Sequence, residues 1–437
     1  MTETLARPQT PTAAGPAHAG RLTTAQGAAL YVGAVLGTGV IALPALAAQA
    51  AGPASLIAWL GLVLLSIPLA MTFAALGARH PDAGGVSTYV RLAFGPRAAG
   101  AIGWCFYFAV PAGAPAAAMF AGAYVEAAVG GGHRTVLLTA AALILAVTVT
   151  NVFGVTVSGK VQLVLAVLLV VLLLAAVLSA APHGDTANLR PFAPHGWLAI
   201  APAAALLVWS FAGWEAITHL AADFRRPERD LPRAAAIAVA VVGVLYLAVA
   251  GAGILVLGPD ATADAPLARL LAIGLGGPAS TLAAAAALLL TFGTMNAYYG
   301  SAAKLGAALG RDGALPAWLA RGASAGDVPR RSLAITSGLS AVAMVVVALT
   351  GTGAQPLVLL ATGAFVAVYA LGAASALRLL PRGSAARKHA MVALIAVVGL
   401  LAATGWYLLW PLVLTAGALL YHRHRHRHRH PAAADPA

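Results

Sequence analysis

Apolar residues run along this chain in long blocks with hardly a charge inside them, and polar residues gather in short segments between the blocks. The blocks cover about 24–48, 54–78, 98–130, 135–153, 160–181, 196–222, 233–257, 277–309, 331–350 and 355–380. Each is near or above the roughly 20 residues that an α-helix needs to cross a bilayer. A last block, 389–421, is too long for one crossing and is punctuated by Thr404-Gly405-Trp406, which predicts a hairpin of two short helices. The pattern predicts an all-α polytopic membrane protein of about twelve transmembrane helices. Residues 1–22 are rich in Ala, Pro, Thr and Gly and lack the apolar core of a signal peptide, so they read as a disordered cytoplasmic tail.

Composition agrees. The chain is 61% hydrophobic and 9% charged, against about 25% charged in a soluble globule. Its formal charge of +13 could suggest a nucleic-acid partner, but the distribution assigns it to loops facing an anionic leaflet. With the N-terminus cytoplasmic, only Arg134, Arg190 and Arg269 of the 26 Lys and Arg fall on the outer side, as the positive-inside rule requires. The expected setting is therefore a bacterial inner membrane with both termini cytoplasmic, the partners being the lipid bilayer and a small molecule, and no nucleic acid. The single Cys105 excludes a disulfide framework and a thiolate metal site. There is no His-Glu-x-x-His, no Gly-x-Ser-x-Gly and no clustered metal-ligand set, so no enzyme, metal or cofactor is expected. The oligomeric state is not legible.

Two blocks are interrupted in their middle. In span one, Gly37-Thr38-Gly39 lies between apolar stretches, with Pro44 a turn later; in span six, Ser210-Phe211-Ala212-Gly213 weakens the helix just before Glu215, an acid inside an apolar run. Interruptions five spans apart are the pattern expected when two inverted halves place discontinuous helices at the midplane. Freed amides of Gly37, Thr38 and Gly39 would favour a carboxylate, and carbonyls near Phe211 and Ala212 would accept from an ammonium, so a zwitterion fits both. The alternative for span one is small-residue packing through Gly33 and Gly37. Burial favours the neutral form of Glu215, while a half-helix end or a protonated His219 one turn on favours the charged form. Glu215 and His219, with Asp223 a further turn along, therefore read as a proton path.

Further motifs carry a resemblance. Gly37-Thr38-Gly39-Val40, Pro81-Asp82-Ala83-Gly84-Gly85-Val86, Glu228-Arg229-Asp230-Leu231-Pro232-Arg233 and Arg311-Asp312-Gly313-Ala314-Leu315-Pro316 resemble the amino acid, polyamine and organocation (APC) transporter superfamily over about 23–421. Gly213-Trp214-Glu215-Ala216, His219-Leu220-Ala221 and Arg226-Pro227-Glu228-Arg229-Asp230 are similar to the bacterial L-methionine and branched-chain amino acid exporter family. The chain departs from many superfamily members at Ala303-Lys304, where they carry Ser-Arg.

The resemblance implies two inverted five-helix repeats with helices one and six broken (23–382) and two extra C-terminal helices (383–421). It also implies a substrate held between spans one, three, six and eight, and alternating access driven by an ion gradient, with the proton as the preferred coupling ion. Gly37, Thr38, Gly39, Phe211, Ala212 and Gly213 would then bind the amino acid's backbone groups. Trp104, Tyr107 and Phe108 in span three, Trp209 and Trp214 in span six, and Phe292, Asn296 and Tyr298 in span eight are the side-chain candidates. An apolar pocket of this kind suits methionine, leucine, isoleucine or valine. The expected activity is proton-coupled export; an importer or exchanger of the same superfamily and a non-transporting amino acid sensor share the same residues. The alternating His422–His430 tract reads as a basic cytoplasmic tail over 422–437 attracted to the inner leaflet, since neighbouring guanidinium groups disfavour a metal.

The charge pattern predicts that reporters fused after Arg91, Arg226 and Arg331 are cytoplasmic and those after Gly131 and Asp264 are periplasmic. A periplasmic reporter after Arg226 contradicts the inverted-repeat reading.

Overall fold

The computed structural model describes residues 22–81, 85–154, 159–215, 218, 221, 224–276, 279–321 and 328–429. Span one is two helices, α1 (Thr24–Leu36) and α2 (Gly39–Ala51). The chain starts α1 with a reciprocal cap: Gln26 N donates to Thr23 Oγ1 at 3.3 Å and Thr23 N donates to Gln26 Oε1 at 3.0 Å. Span two is α3 (Ser55–Arg79), divided from α2 at Gly52, whose φ of +60° suits glycine. Then follow α4 (Val86–Phe94), α5 (Pro96–Val129), α6 (His133–Val152) and α7 (Gly159–Ala180). Span six contributes α8 (Ile200–Leu207) and a 3-10 turn, Val208–Phe211, followed by a turn at 212–215. The chain continues with α9 (Pro227–Leu257), α10 (Pro266–Leu275), α11 (Ala279–Asp312), α12 (Arg330–Thr350), α13 (Gln355–Leu379), α14 (Ala385–Ala403) and α15 (Leu409–Arg429).

Among the described residues, nine helical stretches are long and apolar enough to cross a membrane. The remaining crossings fall short for identifiable reasons: α1 and α8 are halves of interrupted spans, and the basic end of α15 lowers its mean hydropathy. Outward-facing side chains are apolar too. On α7, Val164, Val167, Val171 and Leu178 are exposed while Leu169, Leu173 and Ala176 are buried, as expected of a helix with lipid on one side and protein on the other.

The packing repeats itself under an exchange of halves. Span two (α3) packs on span seven (α9), and span three (α5) on span eight (α11), each pair separated by five crossings. Span four (α6) touches spans three and eight, and span nine (α12) touches spans eight and three. The short amphipathic helices, which the periodicity of the long blocks does not announce, obey the same exchange: α4, between spans two and three, packs on spans three and ten, and α10, between spans seven and eight, packs on spans eight and five. This is the contact pattern of two five-helix repeats related by a pseudo-two-fold axis.

Hydroxyl and amide side chains tie the frame around span three. Tyr107 Oη donates to Ser332 O of α12 at 3.1 Å, Thr148 Oγ1 of α6 donates to Ser337 Oγ at 3.0 Å, and Asn151 Nδ2 of α6 donates to Asn296 Oδ1 of α11 at 2.7 Å. Such bonds between membrane helices contribute roughly 1 kcal/mol each. At the far end of α1 from its break, Leu22 pairs with Phe224 as a parallel bridge, Arg225 N donates to Leu22 O at 3.1 Å, and Thr24 Oγ1 donates to Asp230 Oδ1 of α9 at 2.8 Å.

The turn at Thr404 to Leu408 separates α14 from α15, which pack on α13. Helix α15 continues from the last apolar block into the basic tract, through His422 to Arg429.

Candidate functional site

The two interruptions face each other. Gly37, Thr38 and Gly39 combine glycine with a β-branched residue, all poor in a helix interior, and α1 ends at Leu36. Helix α2 restarts at Gly39 with Thr38 at its N-cap, and Thr38 makes no side-chain capping bond. The first amides of α2 are therefore open to another acceptor, at the positive end of a thirteen-residue helix. Opposite, Ala212 is extended (φ −69°, ψ 135°) and Gly213 has a φ of +126°. Gly213 needs glycine twice over, because a Cβ there would also lie 2.8 Å from Ala34 O. Gly39 abuts Ser210: a Cβ at residue 39 would lie 2.9 Å from Ser210 Cα. The two breaks thus touch backbone to backbone.

One side chain ties the two breaks to each other, and two more hold each break to the surrounding helices. Tyr246 of α9 is fully buried, and its single hydroxyl proton is within reach of Val35 O at 2.8 Å and Ser210 O at 2.5 Å, one carbonyl from each broken span. Glu215, 2% exposed, folds back on its own chain: its Oε2 accepts from Gly213 N at 3.0 Å and from Tyr369 Oη of α13 at 2.5 Å. Tyr124 of α5 donates to Ile41 O of α2 at 2.6 Å and accepts from Leu267 N of α10 at 3.2 Å.

Between the breaks and the α5–α11–α13 side lies a void of about 50 Å³, room for a few waters and less than a whole amino acid. Gly37, Thr38 and Gly39 line it with Ala34 and Val35; Trp209 and Ala212 come from span six; Thr294, Met295 and Tyr298 from α11; and Phe365 from α13. Span three supplies Ala109, Val110, Gly113, Ala114 and Ala117, a face of small residues that lets the Trp209 indole lie on Gly113. Trp209 and Tyr298 each pack on Phe365, with ring centroids 6.5 Å apart. Among the described residues, no Asp, Glu, His, Lys or Arg lines the void.

Of the residues singled out in the sequence, Gly37, Thr38, Gly39, Trp209, Ala212 and Tyr298 are brought together around this void. The others are placed elsewhere. Phe211 points away into an aromatic group with Trp59 and Tyr246, at centroid distances of 6.1 and 5.0 Å. Gly213 holds the interface with span one, and Trp214 packs on Tyr31 at 5.8 Å. Tyr107 is turned towards α12, Phe108 packs on Tyr107 at 5.1 Å, and Trp104 Nε1 donates to Ala314 O at 2.7 Å. Phe292 is half-buried against the core outside the void, and Asn296 is engaged with Asn151. Glu215 lies behind the span-six break rather than in the void. His219 and Asp223 lie outside the described residues.

The sequence reading missed Tyr246, Tyr369, Thr294, Met295 and Phe365. A lone tyrosine in an apolar helix is a signal, since its hydroxyl must find a partner in hydrocarbon, but the sequence does not say which partner. The small-residue run Ala112-Gly113-Ala114 also marks a face of close approach, and it carries no chemistry of its own.

A profile of the amino acid permease family matches residues 22–434. The chain is 34% identical to the L-methionine/branched-chain amino acid exporter YjeH of Escherichia coli, over 91% of this chain and 95% of that protein. It is 33% identical to an uncharacterized amino acid permease, YecA, of Bacillus subtilis, over 92% and 95% of the two chains. The branched-chain amino acid permease BcaP of Bacillus subtilis is 26% identical over 67% of each chain.

Two glycine substitutions separate binding from packing. A Cβ at Gly37 meets nothing nearer than the carbonyls of Ala34 and Val35 at 3.9 Å and projects into the void. Gly37→Ala should keep the melting temperature and weaken amino acid binding at least tenfold, about 1.4 kcal/mol. Gly39→Ala should instead lower stability by about 1–3 kcal/mol, because Ser210 must move. Thermal melts and ligand titration of both variants check this; equal binding by Gly37→Ala and wild type removes that residue from the site.

Proposed function

We propose that this chain, which belongs to the amino acid permease family within the APC superfamily, exports neutral aliphatic amino acids by proton-coupled alternating access. The cargo class is methionine, leucine, isoleucine and valine, the membrane is the bacterial inner membrane, and both termini are cytoplasmic. The observation that carries the reading is the void between two broken helices, with the uncapped start of α2 on one side and apolar walls on the others. The amides of Gly39 and the following residues suit the cargo carboxylate, and the backbone carbonyl side of the span-six break at Ala212, which lines the same void, suits its ammonium. The side chain then lies among Val110, Met295, Trp209 and Phe365, where added methylenes contribute about 0.8 kcal/mol each and a charge has no partner.

The void is too small for the cargo as it stands, so loading requires Trp209 and Phe365 to part from span three. Glu215 is placed to couple that movement to a proton. Its carboxyl holds the Gly213 amide and the Tyr369 hydroxyl together, and thereby holds the span-six break against α13. Protonating or ionising it alters both bonds and biases which face opens. The export direction draws on the similarity to YjeH, an L-methionine/branched-chain amino acid exporter.

Proteoliposomes containing labelled leucine or methionine, with a pH gradient imposed in each direction, test this. Wild type should move substrate against its gradient when protons flow the opposite way. Glu215→Gln should keep exchange and lose gradient-driven net flux at least tenfold. A Gln variant with wild-type driven flux makes Glu215 structural, and binding without any flux identifies a sensor.

A further inference from the structure

The carboxyl of Glu215 has tyrosines from three elements around it. Tyr369 of α13 donates to it; Tyr298 of α11 and Tyr31 of α1 lie within electrostatic reach of it, and Tyr31 lies within reach of Tyr89 of α4. The Gly213 amide completes its contacts. Among the described residues no lysine, arginine or histidine forms an ion pair with it. Tyr369 and Gly213 both bind Oε2, which leaves Oε1 as the oxygen without a protein donor among the described residues.

Two polar atoms have no hydrogen-bond partner among the described residues: Nε1 of Trp214, the chain neighbour of Glu215, and Oη of Tyr31, whose ring packs on Trp214. Both side chains are fully buried, at 0% exposure, and their rings pack with centroids 5.8 Å apart. At Tyr31, phenylalanine would keep the ring with no unmet hydrogen bond. Buried polar groups of this kind are normally satisfied by ordered water making about three bonds. The pair sits between the break and the end of α1 where Leu22 joins Phe224, on the side that the charge pattern makes cytoplasmic.

We propose that Tyr31 and Trp214 hold a small water cluster beside Glu215, and that Tyr31 is a positioning residue relaying the coupling proton between that carboxyl and the cytoplasmic face. This rests on the reading of Glu215 as the coupling acid. The indole N–H can only donate, so it fixes a water by its oxygen. The Tyr31 hydroxyl can donate and accept, so it links that water onward. In unloading, the carboxyl O–H bond breaks as its proton passes to the adjacent water oxygen; that water releases one of its own protons to the next, and the excess proton leaves to the cytoplasm. Tyr31 ends neutral, having accepted one proton and released another, and the carboxylate takes up its next proton from the periplasmic side once the carrier opens there.

The test uses the full chain in proteoliposomes with labelled leucine. In each of wild type, Tyr31→Phe and Trp214→Phe, exchange at equal pH and net flux driven by a one-unit pH gradient are measured. The carboxyl infrared band of Glu215, identified by its loss in Glu215→Gln, is followed against pH. Tyr31→Phe keeps the ring stack and removes only the hydroxyl; exchange should stay within twofold of wild type, driven flux should fall at least fivefold, and the pH midpoint of the carboxyl band should shift. Trp214→Phe should shift the same band. Wild-type driven flux with an unmoved band in both variants overturns the proposal, as does equal loss of exchange and driven flux with an unmoved band, which marks a packing role. Wild type that exchanges leucine without responding to pH overturns the coupling reading and this relay with it. Wild type that neither binds nor moves leucine, with its carboxyl band still shifted by Tyr31→Phe, overturns the substrate reading and leaves the relay supported.

Discussion

In hydrocarbon every backbone amide and carbonyl has to be satisfied within the protein, and this chain breaks two helices where no bulk water can help. That constraint organises the rest of the molecule. Between α1 and α2, and again after α8, backbone groups lose their helical partners, and the structure meets the deficit with a small set of side chains. Tyr246 reaches one carbonyl from each break, while Glu215 and Tyr369 gather the Gly213 amide. The amides at the start of α2 are left without a side-chain cap. A cargo with its own carboxylate can supply what the chain withholds, so binding and the local stability of the break are parts of one balance.

The surrounding frame makes that balance specific. Span three presents alanines and glycine rather than large side chains, so the Trp209 indole can lie flat against Gly113 and the void closes without a cavity of ligand size. Polar ties among α5, α6, α11 and α12 hold the frame, and different ties hold α1, span six and α9 together. Few polar bonds cross between the two sets near the void, and Tyr369 to Glu215 is one of them. On the proposed coupling role, a change in the protonation of Glu215 acts on a bond at the boundary between two groups of helices, where a local change of charge has leverage on their relative position.

Much of the fold is legible in the sequence because membrane crossing imposes length, hydropathy and charge rules that are strong and additive along the chain. The breaks are legible because Gly37-Thr38-Gly39 and Ser210-Phe211-Ala212-Gly213 are poor helix formers in places where helix is otherwise obligatory. Which way each side chain points is a different matter. Phe211 and Trp209 are two residues apart and equally plausible as cavity walls, yet a 3-10 turn places Trp209 at the void and Phe211 against Trp59 and Tyr246. Tyr107 and Asn296 look like substrate ligands on composition, but each answers a partner on a neighbouring helix, Ser332 and Asn151, separated from it by 225 and 145 residues. The helices α4 and α10 went unseen because they are short and amphipathic, and a search for long apolar blocks passes over them.

The central claim is that one small molecule bridges both breaks, and amide hydrogen exchange reads that directly. The full chain in nanodiscs is followed with and without saturating methionine, using peptides that cover residues 34–41 and 207–215. The account predicts that both peptides slow together, because the amides at the start of α2 gain an acceptor and the span-six break closes on the same ligand. Methionine binding that leaves both peptides unchanged, or that protects only peptides remote from both breaks, would contradict it.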